Sequence, residues 1–109
     1  MLSDLPLKLP VVNDFALSSF HLYVIRLEEE MICKHRNIFK TLREKNILVN
    51  LHYIPVYLHP YYESIGFEKG YCPNAEIFYK SAISIPIFPK LTQEDQAFVV
   101  KEIKSALFN

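Results

Sequence analysis

Eleven consecutive residues, His52 to Tyr62 (HYIPVYLHPYY), carry two histidines, four tyrosines, two prolines and no side chain with a fixed charge at neutral pH. Two prolines exclude a strand interior, because each removes a ladder donor. The lack of Gly, Ser, Asn and Asp excludes an ordinary surface turn. What remains is a stiff, aromatic segment that crosses an edge of the fold. Tyrosine and histidine offer flat apolar surface with a hydrogen-bonding tip. Prolines lower the entropy lost when such a segment orders a ligand. The segment therefore suits one wall of a ligand pocket.

The flanking sequence reads as alternating strands and helices. Residues 1–19 form an extended lead-in without periodicity. Phe20–Leu27 (FHLYVIRL) is rich in β-formers and predicts a strand apolar on both sides. Ile32, His35, Phe39 and Leu42, widened by Ile38, recur at helical spacing and predict a helix over Ile32–Lys45. Asn46 follows at a position that favours a left-handed residue. Ile47–Leu51 predicts a second strand. Pro60–Ile65 predicts one helical turn stopped by Gly66, and Phe67–Cys72 a loop. Pro73–Ala82 predicts a helix with proline in its first turn, where the missing N–H costs nothing. Ile83–Phe88 predicts a third strand that is an edge, or ends, at Pro86. Thr92 and Asp95 form a capping-box pattern that opens the last helix. There Ala97, Val100, Ile103, Ala106 and Leu107 form the apolar stripe, with Val99 and Lys101 facing elsewhere.

This order predicts an α/β fold: a small two-layer sandwich of a three- or four-stranded sheet with helices on one face. A sheet apolar on both faces needs cover on both. The chain supplies it on one, which implies a missing partner surface.

At 109 residues, half of them apolar, the chain is one domain with enough material for a core. Twelve basic residues balance twelve acidic ones, which argues against nucleic acid or an anionic membrane as partner. The N-terminus has no signal-peptide pattern and no apolar run long enough to span a membrane, so the expected location is the cytoplasm. Cys33 and Cys72, without a C-x-x-C pair, read as reduced thiols.

Three chemistries fail on spacing. His52 and His59 match no zinc pattern and have no carboxylate between them. Cys33 or Cys72 could be set beside a histidine on paper, but two Cys and four His make such pairings common by chance. Both glycines fall in one loop between helices, so there is no glycine-dependent nucleotide cradle. Binding by the aromatic segment remains. His52 and Tyr53, at a strand exit, favour contact with ligand or a subunit. Tyr61 and Tyr62 favour packing, and His21 and His35 read as structural histidines with satisfied hydrogen bonds.

The segments FHLYVIRL, HRNIFKTLREKNILVNLHYIPVYLHPYY and AEIFYKSAISIPIFPKLTQED occur in this order. Together, from about Leu2 to Leu107, they resemble the C-terminal small domain of the DegT/DnrJ/EryC1/StrS sugar aminotransferases. The likeness is nearest to members that make pseudaminic acid precursors from a UDP-linked 4-keto sugar. The resemblance implies the fold of the small domain in fold-type I enzymes, those that use pyridoxal phosphate on the aspartate aminotransferase fold. It places the cofactor, its lysine and its phosphate-binding residues in a large domain that precedes the matched region. This chain is then expected to hold no cofactor site and to be inactive alone. Its nine lysines fall on predicted exposed helix faces, in loops or at helix ends. A large-domain partner or a homo-oligomer is implied.

The family's HY-x-P matches His52, Tyr53 and Pro55. The resemblance points to His52, Tyr53, Ile54, Tyr57 and His59 as contacts to a nucleotide-sugar. Where many relatives read H-x-Q, this chain has Tyr57-Leu58-His59. Tyr57 keeps a ring and a polar tip but cannot take up a proton near neutral pH as histidine can. His59 replaces an amide by an imidazole. A reading of a different class is a free-standing binding or assembly module that docks through the bare sheet face.

Overall fold

A computed structural model describes residues 1–108. Strand β1 is Leu7–Lys8, β2 is Tyr23–Leu27 and β3 is Ala82–Ile85. They form one antiparallel sheet in the order β1-β2-β3, with Leu7 opposite Leu27, and Ile25 opposite Ile83. Helix α1 spans His35–Glu44, α2 Pro60–Ser64, α3 Pro73–Ser81 and α4 Gln93–Phe108. The three-stranded α/β sandwich expected from the sequence is present, with helices on both faces of the sheet rather than on one.

Strand alternation sends Ile25, Leu27 and Ile83 to one face. There they meet Ile38 and Leu42 of α1 and Val99, Ile103, Ala106 and Leu107 of α4 in one buried cluster. The other face is served by α3. Arg26 lies over the Phe78 ring at 5.3 Å and its Nε reaches Ser81 Oγ at 3.5 Å. Helix α3 itself buries only Glu76 and Ser81.

Several local signals are realised. Thr92 and Asp95 close a reciprocal cap: Asp95 N–H donates to Thr92 Oγ1 at 3.1 Å, and Thr92 N–H to Asp95 Oδ2 at 3.1 Å. The Thr92 hydroxyl, which donates to Asp95 Oδ2 at 2.6 Å, and then the Thr92 N–H hold the Asp95 carboxyl below its ordinary range. Asn46 ends the first helix at φ +60°, where its short polar side chain is tolerated. Strand β3 stops at Ile85, one residue before Pro86, because proline has no N–H to continue the ladder.

Other expectations are corrected. The lead-in contains β1, buries Leu2, and packs Leu5, Leu7 and Leu9 on the core; only its later part, residues 11–20, is exposed throughout. Strand β2 begins at Tyr23 rather than Phe20. The helix expected from Ile32 is a 3-10 segment, Glu29–Lys34, that becomes α-helical at His35. Ile47–Leu51 keeps a period-two burial pattern, with Ile47 and Val49 buried and Leu48 exposed. It makes only one bridge, Asn50 to Ser84. The register of that bridge sets Leu48 opposite Pro86, which has no N–H to donate, so the ladder goes no further. On α4 the expected stripe holds at Val100, Ile103, Ala106 and Leu107, while Val99 is also buried and Ala97 is exposed.

Candidate functional site

The His52–Tyr62 segment leaves the sheet beside β3 and has three parts. At its start, His52 Nδ1 and Ser84 Oγ share a 2.8 Å hydrogen bond. Ser84 is buried and sits on the strand that Asn50 bridges, so the imidazole is oriented by the sheet itself. The His52–Tyr53 peptide is cis. Tyr53 sets its ring edge-on to His52 at 4.7 Å and is 72% exposed, with Ile54 beside it at 37%. These three residues form a small aromatic and apolar platform with one fixed imidazole.

In the middle part, Val56–Leu58 make a 3-10 turn. Tyr57 donates to Glu76 Oε1 at 2.9 Å and its oxygen accepts from Cys72 N–H at 3.2 Å. Glu76 Oε1 also accepts from the Gly70 N–H. Gly70 has φ +95°, a conformation strained for other residues. The Glu76 carboxyl is held below its ordinary range, first by the Gly70 bond and then by Tyr57, with Lys80 and Lys69 adding positive charge. Tyr57 is pushed up, first by desolvation and then by its bond to Glu76. Both shifts favour a neutral phenol donating to an ionised carboxylate.

In the last part, His59 is exposed and stands just before α2. Tyr61 and Tyr62 pack edge-on at 5.3 Å. Tyr62 meets Phe67 at 6.0 Å, Phe67 meets Tyr71 at 5.0 Å, and Tyr71 reaches Tyr57 at 5.5 Å. The preference for packing at Tyr62 is met, while Tyr61 is 69% exposed.

The structure thus brings His52, Tyr53 and Ile54 together, ties Tyr57 into a hydrogen-bond network and leaves His59 in solvent. His35 is satisfied, its Nε2 donating to the Ala82 carbonyl at 2.9 Å, whereas His21 is exposed rather than structural. Two residues that the sequence did not single out, Ser84 and Glu76, fix the segment. Nothing local distinguishes Glu76 from a solvated helical carboxylate, because its tyrosine donor lies nineteen residues away.

Two clefts lie elsewhere. One of about 560 Å³ is bounded by Leu2, Leu9, Tyr23, Ile85, Phe88 and Val99, and one of about 450 Å³ by Arg36, Phe39, Leu51, Tyr79 and Lys80. None of the five candidate residues lines either. Among the described residues no helix is long and apolar enough to cross a membrane, and no three His, Cys, Asp or Glu side chains are placed to hold a metal. Cys33 and Cys72 are free and exposed.

A pyridoxal phosphate site needs a lysine for the imine, an acid for the ring nitrogen and donors for the phosphate. The platform offers an imidazole, a phenol and a hydroxyl, with no lysine among its contacts. Lys8, Lys40 and Lys45 pair with Glu28, Glu44 and Glu102, and Lys34 reaches the Leu107 carbonyl. The residues of the platform do not fit the cofactor.

This small α/β sandwich is shared with sugar aminotransferases of known structure. Residues 1–104 match the sequence model of the DegT/DnrJ/EryC1/StrS aminotransferase family, and the chain belongs to that family. It is 32% identical over 98 residues to the spore coat polysaccharide biosynthesis protein SpsC of Bacillus subtilis, covering 87% of this chain and 25% of SpsC. It is 34% identical over 96 residues to a UDP-4-amino-4,6-dideoxy-N-acetyl-beta-L-altrosamine transaminase of Campylobacter jejuni, covering 88% of this chain and 25% of that protein. Among solved structures it superposes on Spr1654 of Streptococcus pneumoniae, assigned as a sugar aminotransferase, with a TM-score of 0.88 and 25% identity. That match covers 96% of this chain and 27% of the other. Spr1654 has been solved in apo, PMP and PLP forms. The chain spans about a quarter of the length of these relatives.

Proposed function

We propose that residues 1–109 are the small, C-terminal-type domain of a cytoplasmic nucleotide-sugar aminotransferase, and that this domain is inactive by itself. The reaction is amino transfer to a UDP-linked 4-keto-6-deoxy sugar used in surface polysaccharide synthesis. Pyridoxal phosphate, bound by the large domain, would supply the electron sink. This domain would supply one wall of the sugar pocket, with Tyr53 and Ile54 as contact surface and His52 as an oriented hydrogen-bonding group.

The observation that carries the reading is the excess of surface. The chain exposes 8050 Å² at 12.8 kDa, where a self-contained monomer of that mass exposes about 6,300 Å². Its radius of gyration is 15.5 Å, against about 13 Å for a compact chain of this length. A domain built to be covered by more protein has this property. The test is spectroscopic and enzymatic. The purified chain is expected to show neither bound pyridoxal absorbance nor transamination of a UDP-4-keto sugar, and to support activity only when a family large domain is added. Tight cofactor binding with unaided turnover would refute it.

A second reading, a free-standing assembly module, is favoured by Val11, Phe15 and Leu17, which are 89%, 90% and 103% exposed. Light scattering after size-exclusion chromatography separates the two. A stable self-dimer that ignores an added large domain supports the module, and a mixed complex supports the domain.

A further inference from the structure

The span from His52 to Tyr57 is pinned at both ends. At the near end the pin is the 2.8 Å bond to Ser84 on β3. At the far end it is the 2.9 Å bond from Tyr57 to Glu76 on α3. Between them lie Tyr53 and Ile54, the exposed members of the platform.

Glu76 is an unusual residue to find at such a place. It is 6% exposed, and a buried carboxylate is costly unless its lone pairs are met by donors. Here two donors, the Tyr57 hydroxyl and the Gly70 N–H, converge on the same oxygen. The Tyr57 oxygen in turn takes the Cys72 N–H. One carboxylate thereby joins three separate pieces of chain: the turn at Val56–Leu58, the loop from Gly70 to Cys72 and helix α3. Helix α3 buries only Glu76 and Ser81, so its tie to the segment is this polar knot, which stands beside the ring contact of Tyr57 with Tyr71.

We propose that Glu76 is a positioning residue: by holding Tyr57 it fixes the span that presents Tyr53 and Ile54 to substrate. Only the identity of what is presented rests on the aminotransferase reading. The oxygen, rather than the charge, is the working part, since both donors use Oε1.

Site-resolved amide hydrogen exchange of the full chain tests this. The reporters are Leu58 and His59, whose amides bond to Pro55 and Val56 within the turn, with Ile103 in α4 as the core reference. In Glu76→Ala and in the milder Tyr57→Phe, Leu58 and His59 are expected to exchange about tenfold faster while Ile103 is unchanged, as for local opening. Glu76→Gln, which keeps the acceptor oxygen, is expected to restore protection to within about threefold of the parent. Unchanged exchange at Leu58 and His59 in Tyr57→Phe overturns the proposal. So does a glutamine variant that behaves like alanine, or an equal acceleration at Ile103. The measurement needs neither cofactor nor sugar, so its failure is distinct from failure of the aminotransferase reading, which the large-domain experiment decides.

Discussion

Glu76 shows how one side chain links fold to site. Its carboxyl is held low by the Gly70 N–H and by Tyr57, with Lys80 and Lys69 as the nearby cations. A group whose folded pKa is depressed binds fewer protons folded than unfolded, so its stabilisation is complete above the ordinary value and disappears as pH falls through the lowered one. Thermal stability is therefore expected to begin falling as the pH drops through the ordinary carboxyl value of 4.5. Glu76→Gln should flatten that fall, and melts at a series of pH values with both proteins measure it. A residual slope is expected from Asp95, whose carboxyl is also held low, by Thr92. At this scale the sequence revealed the aromatic segment and the pairing of Thr92 with Asp95, because those signals act over a few residues. It did not reveal that Tyr57 is tied to α3 and His59 is not, because the partners of both are set by how distant segments pack.

Helix α4 illustrates the next scale. Its cap is local: Thr92 satisfies the Asp95 amide at 3.1 Å, and Thr92→Ala is expected to cost about 1 kcal/mol. Its buried face is not local. Val99 is 8% exposed and lies in the cluster with Leu2, while Ala97 points to solvent. Val99→Ala is expected to destabilise by about 1–2 kcal/mol, whereas Ala97→Ser stays within about 0.5 kcal/mol. Urea denaturation of the three variants decides which face is buried. The expected stripe left out Val99 because both Val99 and Val100 fit a helical period. The N-terminal leucines that select Val99 are nearly a whole chain length away. The same cause explains β1: a two-residue strand has no pattern of its own and exists because Leu7 meets Leu27.

For the whole molecule, one core joins the sheet to α1 and α4, and α2 and α3 add no side chain to it. Leu42 and Ile103 are 0% exposed and join the sheet to both long helices. Leu42→Ala is expected to cost about 2–5 kcal/mol and to lower the sheet and helix signals together in a single transition. The exposed arm is a separate matter. Replacing Phe15 and Leu17 together by serine is expected to change stability by less than about 0.5 kcal/mol and to weaken association with a large domain, read by light scattering. An effect on the melt instead would place those residues in this domain's own core.

The sequence by itself determined the α/β class, most helices and turns, the stop at Pro86 and the aromatic segment that marks the family. These follow from proline and glycine chemistry, capping and periodicity, which operate within about a turn of helix. Tertiary structure alone decided that the lead-in joins the sheet, that Ile47–Leu51 makes one bridge instead of a strand, and that Ser84 and Glu76 pin the span carrying Tyr53 and Ile54. Those outcomes depend on contacts between residues far apart in the chain. There a donor, an acceptor or an apolar face acquires its role only when the partner arrives.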